Sequence, residues 1–457
     1  MIVLKFGGTS VGTKESLHNV KKIVESLDDD AIVVVSALGG LTDRLIATAK
    51  MAAKGDPAYS DEWEAMAKRR YDTINGVVGD DDKRAATTDS VGALLNELRR
   101  LYDGVSLIAD LPDRTLAQIV SLGERMSSVI VAAMISGASH ADSLKIIKTE
   151  KWFDKNIAST ELTTDLIRKN LGGDVRYPIV MGGFISTDKD TGEITNLGRG
   201  GSDYTAALVA AALDADVLQI WTDVDGFLTA DPRIVPEAKV IDTMSFVESM
   251  DLCTFGAKVI YPPTIYPVFH KNIPIRILNT HRPDAPGTFI SEHAVSDNNG
   301  VVGISALKSE ALVTLRGRLA ADIATISSRS FNTLARKGLS AHLVAQSVDR
   351  NSFSFAIADA DARNAIRLLK EEFAPELVDG SLEVMEITTG LASLAAVGDN
   401  IKKLPSLSAK IRNVLLAAEI EIYAYSDKAS ETSLSFVIKE DDVPEALRTL
   451  HTALFKQ

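Results

Sequence analysis

Three glycine-rich segments carry the residues best suited to chemistry. They are Lys5-Phe6-Gly7-Gly8-Thr9-Ser10, Met181-Gly182-Gly183-Phe184 and Asn196-Leu197-Gly198-Arg199-Gly200-Gly201-Ser202-Asp203. Each adjoins an apolar run rich in β-branched residues, so each is expected where a strand ends. Glycines there let the backbone approach an anion closely, and their N–H groups can face it. Because two of the segments also contain a cation, the pattern favours binding of phosphates and carboxylates, and therefore phosphoryl transfer.

Lys5 lies at the end of the first predicted strand, directly before Gly7-Gly8. As a point charge it could reach a transferring phosphate, but a surface lysine beside a turn explains the residues equally well. The sequence contains no Gly-x-x-x-x-Gly-Lys-Ser/Thr segment. The nucleotide fold is therefore predicted not to be of the P-loop type.

The segment around Arg199 precedes an apolar helical pattern. Ser202 and Asp203 are good N-cap residues, and a helix N-terminus preceded by glycines is a ready anion site. The planar guanidinium of Arg199 suits a carboxylate. A capped helix after a plain loop is the alternative, although two adjacent glycines and an arginine exceed what capping requires.

Two further segments offer polar residues near predicted strand or helix ends. Glu124 follows Gly123 inside a helical pattern, where glycine costs about 1 kcal/mol relative to alanine and so needs a packing or binding reason. Glu124 could accept a substrate ammonium or be a solvated glutamate. Thr222 and Asp223 follow a buried strand and suit a nucleotide's ribose or base, and Lys258 offers another cation for a phosphate.

The elements that must position these residues alternate along about the first 290 residues. Strands are predicted at 2–6, 31–36, 143–147, 179–181 and 217–221, with helices at 16–27, within 43–105 and at 118–135. This alternation predicts an α/β domain of three αβα layers around a mostly parallel sheet. Ligands in such sheets bind at the carboxyl ends of the strands, where the glycine segments fall.

A second pattern appears twice after residue 290. Residues 338–357 and 419–438 match at an offset of 81 positions, and the same offset relates Gly317 to Gly398. Several matches in one register indicate a duplicated strand–helix–strand–strand–helix–strand module.

Bulk properties bound the class of protein. A chain of 457 residues predicts two or three domains. The net charge of −13 argues against nucleic acid and anionic membranes as partners, and no run approaches the roughly 18 apolar residues of a membrane span. The single cysteine, Cys253, cannot form an intrachain disulfide, which fits a reducing compartment, and we expect a cytoplasmic protein. No Cys/His spacing predicts a metal site held by the protein.

Four motifs in this order closely resemble the aspartate kinases, members of the amino acid kinase superfamily. They are Lys5-Phe6-Gly7-Gly8-Thr9-Ser10-Val11, Gly198-Arg199-Gly200-Gly201-Ser202-Asp203-Tyr204, Trp221-Thr222-Asp223-Val224 and Phe255-Gly256-Ala257-Lys258-Val259. The duplicated module resembles the tandem ACT domains of these enzymes. The resemblance covers essentially the whole chain. It implies a catalytic domain over residues 1–290 and ferredoxin-like (βαββαβ) ACT domains over 300–380 and 388–457, which could be intertwined.

The resemblance also implies an activity and residue roles. The activity is ATP-dependent phosphorylation of the L-aspartate β-carboxylate, with Mg²⁺ carried by the nucleotide. Lys5 and Asp203 would be catalytic, with Asp203 holding Lys5. The implied aspartate-binding residues are Thr42, Glu124, Arg199 and Ser202, and the implied ATP-binding residues are Lys5, Gly7, Gly8, Ser10, Thr222, Asp223, Arg233 and Lys258.

The ACT resemblance implies feedback regulation and pairing of subunits. A homodimer or homotetramer through the ACT domains is expected. Gln346 stands where threonine-sensitive members carry an effector-binding glutamine, so the resemblance favours threonine over lysine. The second copy has Asp427 at the equivalent position, which departs from that pattern and implies one effector site per pair of repeats. The family often has tyrosine where Leu228 stands and histidine where Tyr261 stands.

Two alternatives remain at this point. A sister kinase acting on glutamate, acetylglutamate or a nucleoside monophosphate would share the glycine segments, although the ACT duplication and the Phe255-Gly256-Ala257-Lys258 motif disfavour it. A catalytically silent amino-acid sensor would share the ACT domains. Such a sensor has no use for Lys5, Arg199 and Asp203 together.

Overall fold

The fold comes from a computed structural model of the chain. It describes residues 1–152, 155–173, 175–292, 300–318, 322–347, 351–399, 401, 405–426 and 431–455. The chain forms two compact units. The first contains most of residues 1–226 together with Ile260–Glu292, and the second contains Phe227–Val259 and the C-terminal part of the chain.

The first unit alternates strands and helices, numbered here in order along the whole chain. Its elements are β1 (Ile2–Phe6), α1 (Lys14–Glu25), β2 (Ala31–Val35), α2 (Leu41–Ala53), α3 (Tyr59–Val77), α4 (Asp81–Ile108), α5 (Asp113–Met134), β3 (Ser139–Ala141), α6 (Ser143–Ile146), β4 (Lys148–Trp152), β5 (Lys155–Ala158), α7 (Thr160–Leu171), β6 (Ile179–Gly182), β7 (Ile185–Asp188), β8 (Ile194–Asn196), α8 (Gly201–Ala212), β9 (Val217–Thr222), α10 (Ile265–Phe269), β11 (Ile275–Asn279) and β12 (Thr288–Ser291).

The main sheet of this unit is mostly parallel, as predicted. Its strands follow the order β12-β11-β9-β1-β2-β6-β3, and only β12 runs antiparallel to its neighbour β11. A smaller sheet has the order β5-β4-β7-β8. The central strands are β-branched and buried on both faces, which is typical of a parallel sheet covered by helices on each side.

The alternation of side chains along β1 sends its residues to opposite faces of the sheet. Leu4 and Phe6 join an apolar core built with α1 to α5. Lys5 points the other way, because successive side chains of a strand alternate, and it meets Asp203 at the start of α8. The predicted three-layer αβα fold is confirmed. Lys5 lies on the face of the sheet opposite to Leu4 and Phe6, the face on which α8 begins.

One predicted strand is wrong. Instead of a strand at 143–147, residues Ser143–Ile146 form the one-turn helix α6, and the edge strand β3 lies just before it at Ser139–Ala141. The carboxylate of Asp142 accepts a hydrogen bond from the N–H of Leu144 at 3.1 Å and so caps the turn. A short apolar run does not distinguish a buried strand from a buried helical turn, and here the cap decides between them.

Helix α5 confirms the long buried helix predicted at 118–135, and it begins earlier, at Asp113. By length and composition it is apolar enough to cross a membrane, but 67% of its apolar window is buried inside the protein. Burial of this kind is typical of a core helix in a large α/β domain.

The second unit is built around one six-stranded antiparallel sheet with the order β14-β15-β13-β16-β18-β17. Its elements are β10 (Thr243–Ser245), α9 (Phe246–Thr254), β13 (Gly303–Gly317), α11 (Ile323–Arg336), β14 (Ala341–Ser347), β15 (Ser352–Ala358), α12 (Asp359–Glu372), α13 (Ala374–Val378), β16 (Leu382–Val397), α14 (Pro405–Ala417), β17 (Ala424–Ser426), β18 (Ser433–Lys439) and α15 (Val443–Phe455).

The two copies of the duplicated module share the long strands β13 and β16. The second half of β13 pairs with β15, whereas its first half, Gly303 to Leu307, pairs only with the part of β16 that also pairs with β18. The second copy therefore completes its sheet with residues from the start of the range predicted for the first copy. Two separate apolar cores match this arrangement, one containing Ile304 and Phe436 and the other Val313 and Phe355.

Candidate active site

The ends of four neighbouring strands bring the predicted chemistry to one edge of the main sheet. The Gly7 N–H donates to the Trp221 carbonyl at the end of β9 at 3.2 Å, and the Ser36 N–H donates to the Phe6 carbonyl at 3.1 Å. The Gly183 N–H donates to the Val35 carbonyl at 2.9 Å. The loops after β9, β1, β2 and β6 thus lie side by side at the carboxyl edge, which is where ligands bind in such sheets.

Lys5 and Asp203 form a buried ion pair at this edge. The Lys5 Nζ lies 2.5 Å from the Asp203 Oδ1, and the two side chains are only 11% and 12% exposed. A buried charge needs a partner of opposite sign, because its desolvation is otherwise costly. The pair holds a lysine ammonium at a fixed place beside the Gly7-Gly8 loop.

That loop consists of glycines because two backbones meet there. A Cβ on Gly8 would lie 3.3 Å from the Ala37 carbonyl oxygen, and one on Gly39 would lie 3.0 Å from the Gly8 carbonyl oxygen. Larger residues would push the β1–α1 and β2–α2 loops apart. The glycines therefore let the two loops pack closely beside Lys5, and such close backbone approach is typical of anion-binding loops.

Helix α8 begins at Gly201, two residues after Arg199. Its N-cap is Gly200, with φ +68° and no side-chain cap, so the prediction that Ser202 or Asp203 caps the helix is wrong. Both residues lie inside the first turn of α8. The Asp203 carboxylate pairs with the Lys5 ammonium. The uncapped N–H groups and the helix dipole make this terminus attractive to an anion.

Tyr261 fixes the conformation of the Arg199 loop. A Cβ on Gly200 would lie 2.2 Å from the Tyr261 Cβ and 2.5 Å from its ring. Gly198 also has a positive φ, of +72°. The departure from the family pattern at position 261 thus falls on a residue that packs against the loop carrying the arginine. Leu228, the other departure, forms an isolated bridge with Val240 in the second unit.

Glu124 lies at the base of the same edge, on α5. Its side chain is 4% exposed, and its Oε1 accepts a hydrogen bond from the Ala37 N–H at 3.2 Å. Its Oε2 has no hydrogen-bond partner among the residues that the structure describes. Burial raises the pKa of Glu124 to about 8, against the opposing effect of the Ala37 N–H. A buried acceptor of this kind suits a cation supplied by a ligand.

Close packing explains why a glycine stands at position 123 inside a helix. A Cβ at this position would lie 2.9 Å from the Ala37 Cβ and 3.5 Å from the Leu45 Cδ1. The missing side chain lets α5 approach the loop after β2. This approach brings Glu124 within reach of the Ala37 N–H.

A cleft of about 370 Å³ unites these groups. Among the predicted residues, Lys5, Gly8, Thr42, Glu124, Arg199, Ser202 and Asp203 line it. Its remaining lining residues are Ser36, Ala37, Leu38, Gly40, Asp43, Phe184, Gly198, Gly200 and Gly201. Arg199 is exposed at the cleft and Ser202 is buried. The cleft thus combines two cations, an open helix N-terminus and two buried carboxylates, of which Asp203 is paired with Lys5 and Glu124 is not.

Other predicted residues lie outside this cleft. Ser10 is fully buried, and its hydroxyl donates to the Trp221 carbonyl at 3.2 Å and accepts from Thr280 at 2.7 Å, so it ties the β1 and β9 loops together. Gly7 adjoins the Lys5 Nζ, at 3.4 Å from a Cβ built on it. Thr222 ends β9 beside β1, and its hydroxyl donates to Asp223 at 3.2 Å.

Three of the predicted residues that the structure describes belong to the second unit. Arg233 is exposed and its guanidinium binds Asp231, with an Nη2–Oδ2 distance of 2.7 Å. Lys258 is also exposed. Gln346 is exposed on the edge strand β14, where it pairs with Phe353. Asp427 lies outside the described residues.

Sequence reasoning missed two residues of the cleft wall. Phe184 stands within a glycine segment, and no role is predicted for it, although it has φ +67° and its N–H donates to the Thr205 hydroxyl at 3.0 Å. Asp43 in the first turn of α2 lines the cleft beside Thr42. The signal for Phe184 is its place after Gly182-Gly183. Asp43 gives none, since a charged residue in a helical first turn is ordinary.

Comparisons with known proteins agree with this fold and cleft. The amino acid kinase family model matches residues 1–279, and the ACT domain model matches residues 313–373 and 394–454. The two ACT matches are offset by 81 positions at both ends, which confirms the duplication.

The chain is also similar in sequence to aspartokinases. A bifunctional aspartokinase/homoserine dehydrogenase of Haemophilus influenzae is 33% identical over all of this chain and 56% of its own length. The lysine-sensitive aspartokinase 3 of Escherichia coli is 28% identical over 100% of this chain and 99% of that protein. The chain spans about half the length of the bifunctional relatives it matches.

A solved structure extends the likeness to the whole fold. Escherichia coli aspartokinase III in complex with aspartate and ADP superposes with a TM-score of 0.85 at 27% identity, covering 100% of both chains. The fold and the cleft define the class, an α/β kinase domain whose anion-binding loops lie at the carboxyl edge of a parallel sheet. The chain belongs to the amino acid kinase family and carries a tandem pair of ACT domains.

Proposed function

We propose that this chain transfers the γ-phosphoryl group of ATP to the β-carboxylate of L-aspartate, giving 4-phospho-L-aspartate and ADP. This is the first step towards lysine, threonine and methionine. One observation carries the proposal: the Lys5 ammonium, the Arg199 guanidinium and the buried Glu124 carboxylate line one cleft. The likeness to a structure that contains aspartate and ADP supports the same conclusion.

The amino acid is held by complementary charge. Arg199, with Ser202 and Thr42 beside it in the cleft, binds the carboxylates of aspartate. Its ammonium binds Glu124, whose free Oε2 faces no other partner in the described part of the chain. A ligand cation makes ionisation of this buried carboxyl favourable, so binding and deprotonation of Glu124 occur together.

The nucleotide phosphates lie against Gly7, Gly8 and the N-terminus of α8. Thr222 and Asp223, at the end of β9, contribute on the side of the ribose and base, and Ser10 supports the loop between them. Arg233 and Lys258 of the second unit are proposed as further contacts to ATP.

The next point is whether side chains of the protein could hold a metal ion. Within the described residues, no group of three or more His, Cys, Asp or Glu side chains could hold a metal ion. We propose that Mg²⁺ accompanies the nucleotide, held mostly by phosphates and water, where it offsets their negative charge.

The chemical step needs little beyond charge and alignment. An oxygen of the aspartate β-carboxylate attacks the γ-phosphorus, and the bond from phosphorus to the β,γ-bridging oxygen breaks with ADP as leaving group. The attacking group is already ionised at neutral pH, so no general base is required. The obstacle is repulsion between two anions, which Lys5, the helix terminus and the loop amides offset. Asp203 keeps the Lys5 ammonium in line.

Regulation is assigned to the ACT pair. We propose that L-threonine binds near Gln346, ahead of L-lysine as effector, and that subunits pair through these domains. The Escherichia coli relative has also been solved with lysine and aspartate in a T state, which supports an amino-acid effector without naming it for this chain. An effector of this kind requires two global states that it binds unequally.

Substrate-dependent ADP release tests the proposed reaction. With ATP and Mg²⁺, L-aspartate is expected to stimulate release strongly, while L-glutamate, N-acetylglutamate and UMP leave it at background. Stimulation by one of the latter instead would assign the chain to a sister kinase. Background release with every acceptor, in a folded protein that still binds amino acids, would identify a silent sensor.

A further inference from the structure

A second cavity, of about 260 Å³, lies in the first unit. It is enclosed by α4, α5 and the residues at the carboxyl ends of β3 and β6, and it shares no lining residue with the cleft. The reaction proposed above uses none of its residues. Its place at the carboxyl edge of the sheet is one where α/β domains bind ligands.

One side of the cavity offers a cation with spare donors. Arg125 lines the cavity, and its Nη1 donates to the Glu97 Oε1 at 2.9 Å. A guanidinium has five N–H donors in a planar fork, and Glu97 occupies one of them. The others can bind a carboxylate.

His140 and Asp142 provide groups in the same cavity that can bind a ligand cation. The Ser128 hydroxyl, on a residue only 2% exposed, donates to the Arg125 carbonyl at 3.1 Å and lies 2.9 Å from the His140 Nε2. When the hydroxyl hydrogen is directed to that carbonyl, Nε2 donates to Ser128 and Nδ1 of the neutral ring is left as an acceptor; in the other tautomer the hydroxyl donates to Nε2. Asp142 lines the same cavity and adds a carboxylate. Both groups suit an ammonium.

The remaining wall is apolar. Leu94, Val129 and Ile185 line the cavity together with Ala141. A cavity of this size is smaller than the pockets of roughly 300–1,000 Å³ that hold drug-sized ligands. It is matched to a ligand with one positive end, one negative end and a short hydrocarbon body.

We propose that this cavity binds a free α-amino acid with a small aliphatic side chain. The ligand's carboxylate binds Arg125, its ammonium binds Asp142 and His140, and its side chain contacts the apolar wall. This site lies within the kinase domain and is separate from the ACT pair.

The site adjoins the proposed aspartate site through one residue. Gly182 lines the cavity, and a Cβ on it would lie 3.1 Å from the Glu124 carbonyl oxygen and 3.2 Å from the Glu124 Cβ. The buried Ser143 hydroxyl, also in the cavity wall, donates to the Gly182 carbonyl at 2.5 Å. A ligand in the cavity therefore contacts the backbone against which Glu124 packs.

Calorimetry on the full chain with L-valine as probe tests the proposal. Ser90, on the exposed face of α4, lines the cavity, and Ser90→Phe fills it, whereas Asp89→Phe adds the same ring one residue away from the lining. Saturable binding of L-valine is expected to weaken at least about tenfold in Ser90→Phe and in Arg125→Gln, and to persist in Asp89→Phe. Isobutylamine, which lacks the carboxylate, is expected to bind at least about tenfold more weakly than L-valine.

Three results would contradict the proposed amino-acid site. Absence of L-valine binding to the unaltered chain, undiminished binding in Ser90→Phe, or equal binding of isobutylamine would overturn the proposal. Because heat of binding is measured without turnover, these outcomes are independent of whether the chain phosphorylates aspartate.

Discussion

At the scale of single residues, Glu124 shows how burial and chemistry are linked. One carboxylate oxygen accepts from the Ala37 N–H, and the other is buried without a partner within the described residues. The raised pKa, about 8, means that the Glu124 carboxyl is largely protonated at neutral pH while no ligand ammonium is bound beside it. An ammonium that binds there must expel the proton.

This linkage predicts a pH dependence for aspartate binding. Below pH 8 the neutral form of Glu124 dominates in the free protein, so affinity for aspartate is expected to rise as pH increases from 6 to 8. Titration calorimetry at pH 7 in buffers of different ionisation enthalpy should detect release of nearly one proton per aspartate bound. Glu124→Gln should weaken binding and abolish both the release and the pH dependence. Unchanged proton release in that variant would place the titrating group elsewhere.

The residue types in the cleft were largely predictable, but their partners were not. Lys5 and Arg199 stood out because a cation beside glycines has few structural uses. The Ala37 N–H that binds Glu124 is 87 residues away in sequence, and only the packing of α5 on the loop after β2 brings the two together. Likewise Tyr261 packs against Gly200 although 61 positions separate the two in sequence, so no local pattern indicates the contact.

At the scale of elements, the approach of α5 to the β2–α2 loop depends on a missing side chain. Gly123→Ala gains roughly 1 kcal/mol of helix propensity, but the new methyl would lie 2.9 Å from the Ala37 Cβ. The variant is expected to raise the KM for aspartate with little change in the KM for ATP, as measured by steady-state kinetics. Ala37→Gly in the same chain should restore the KM, because it removes the opposing methyl.

Gly104→Ala is the matched control. Gly104 lies inside α4, and a Cβ added to it would have no other atom within 4 Å. Alanine there should therefore stabilise the fold by about 0.5–1 kcal/mol and leave the kinetics unchanged. If Gly123→Ala behaved like Gly104→Ala, the contact with Ala37 would have no functional importance.

The shared strand β13 makes a second prediction at this scale. Ile304 belongs to the core of the second ACT copy and Val313 to that of the first, although only nine positions separate them. Each truncation to alanine is expected to cost about 2–4 kcal/mol. By hydrogen exchange, Ile304→Ala should reduce protection mainly in β18, and Val313→Ala mainly in β15. The reverse pattern would contradict the intertwined pairing.

The duplication itself was visible in the sequence, but the exchange of strands was not. An offset of 81 positions identifies equivalent residues without saying which copy a strand completes. The error at residues 143–147 has a similar origin, since the pattern of apolar residues fits both structures and the Asp142 cap decides between them.

At the scale of the whole molecule, the ACT pair is expected to make activity respond to an amino acid. L-threonine should inhibit ADP release at lower concentrations than L-lysine or L-methionine. Gln346→Ala, on the exposed edge strand β14, should raise the inhibitory concentration of threonine at least about tenfold, because it removes a hydrogen-bonding group from the proposed site. Lys337→Ala, an exposed change in the same ACT copy, should leave inhibition intact. Stronger inhibition by lysine would reassign the effector.

The central claim is that Lys5 and the groups around it transfer a phosphoryl group to a carboxylate. Trapping the product with hydroxylamine tests this most directly, because an acyl phosphate reacts to give a hydroxamate. The chain with ATP, Mg²⁺ and L-aspartate is expected to form aspartyl hydroxamate. Lys5→Ala should lower the rate about 10²–10³-fold with its fold intact by circular dichroism, while Lys22→Ala on the exposed face of α1 should match the unaltered chain. Hydroxamate formation at an undiminished rate in Lys5→Ala would contradict the account.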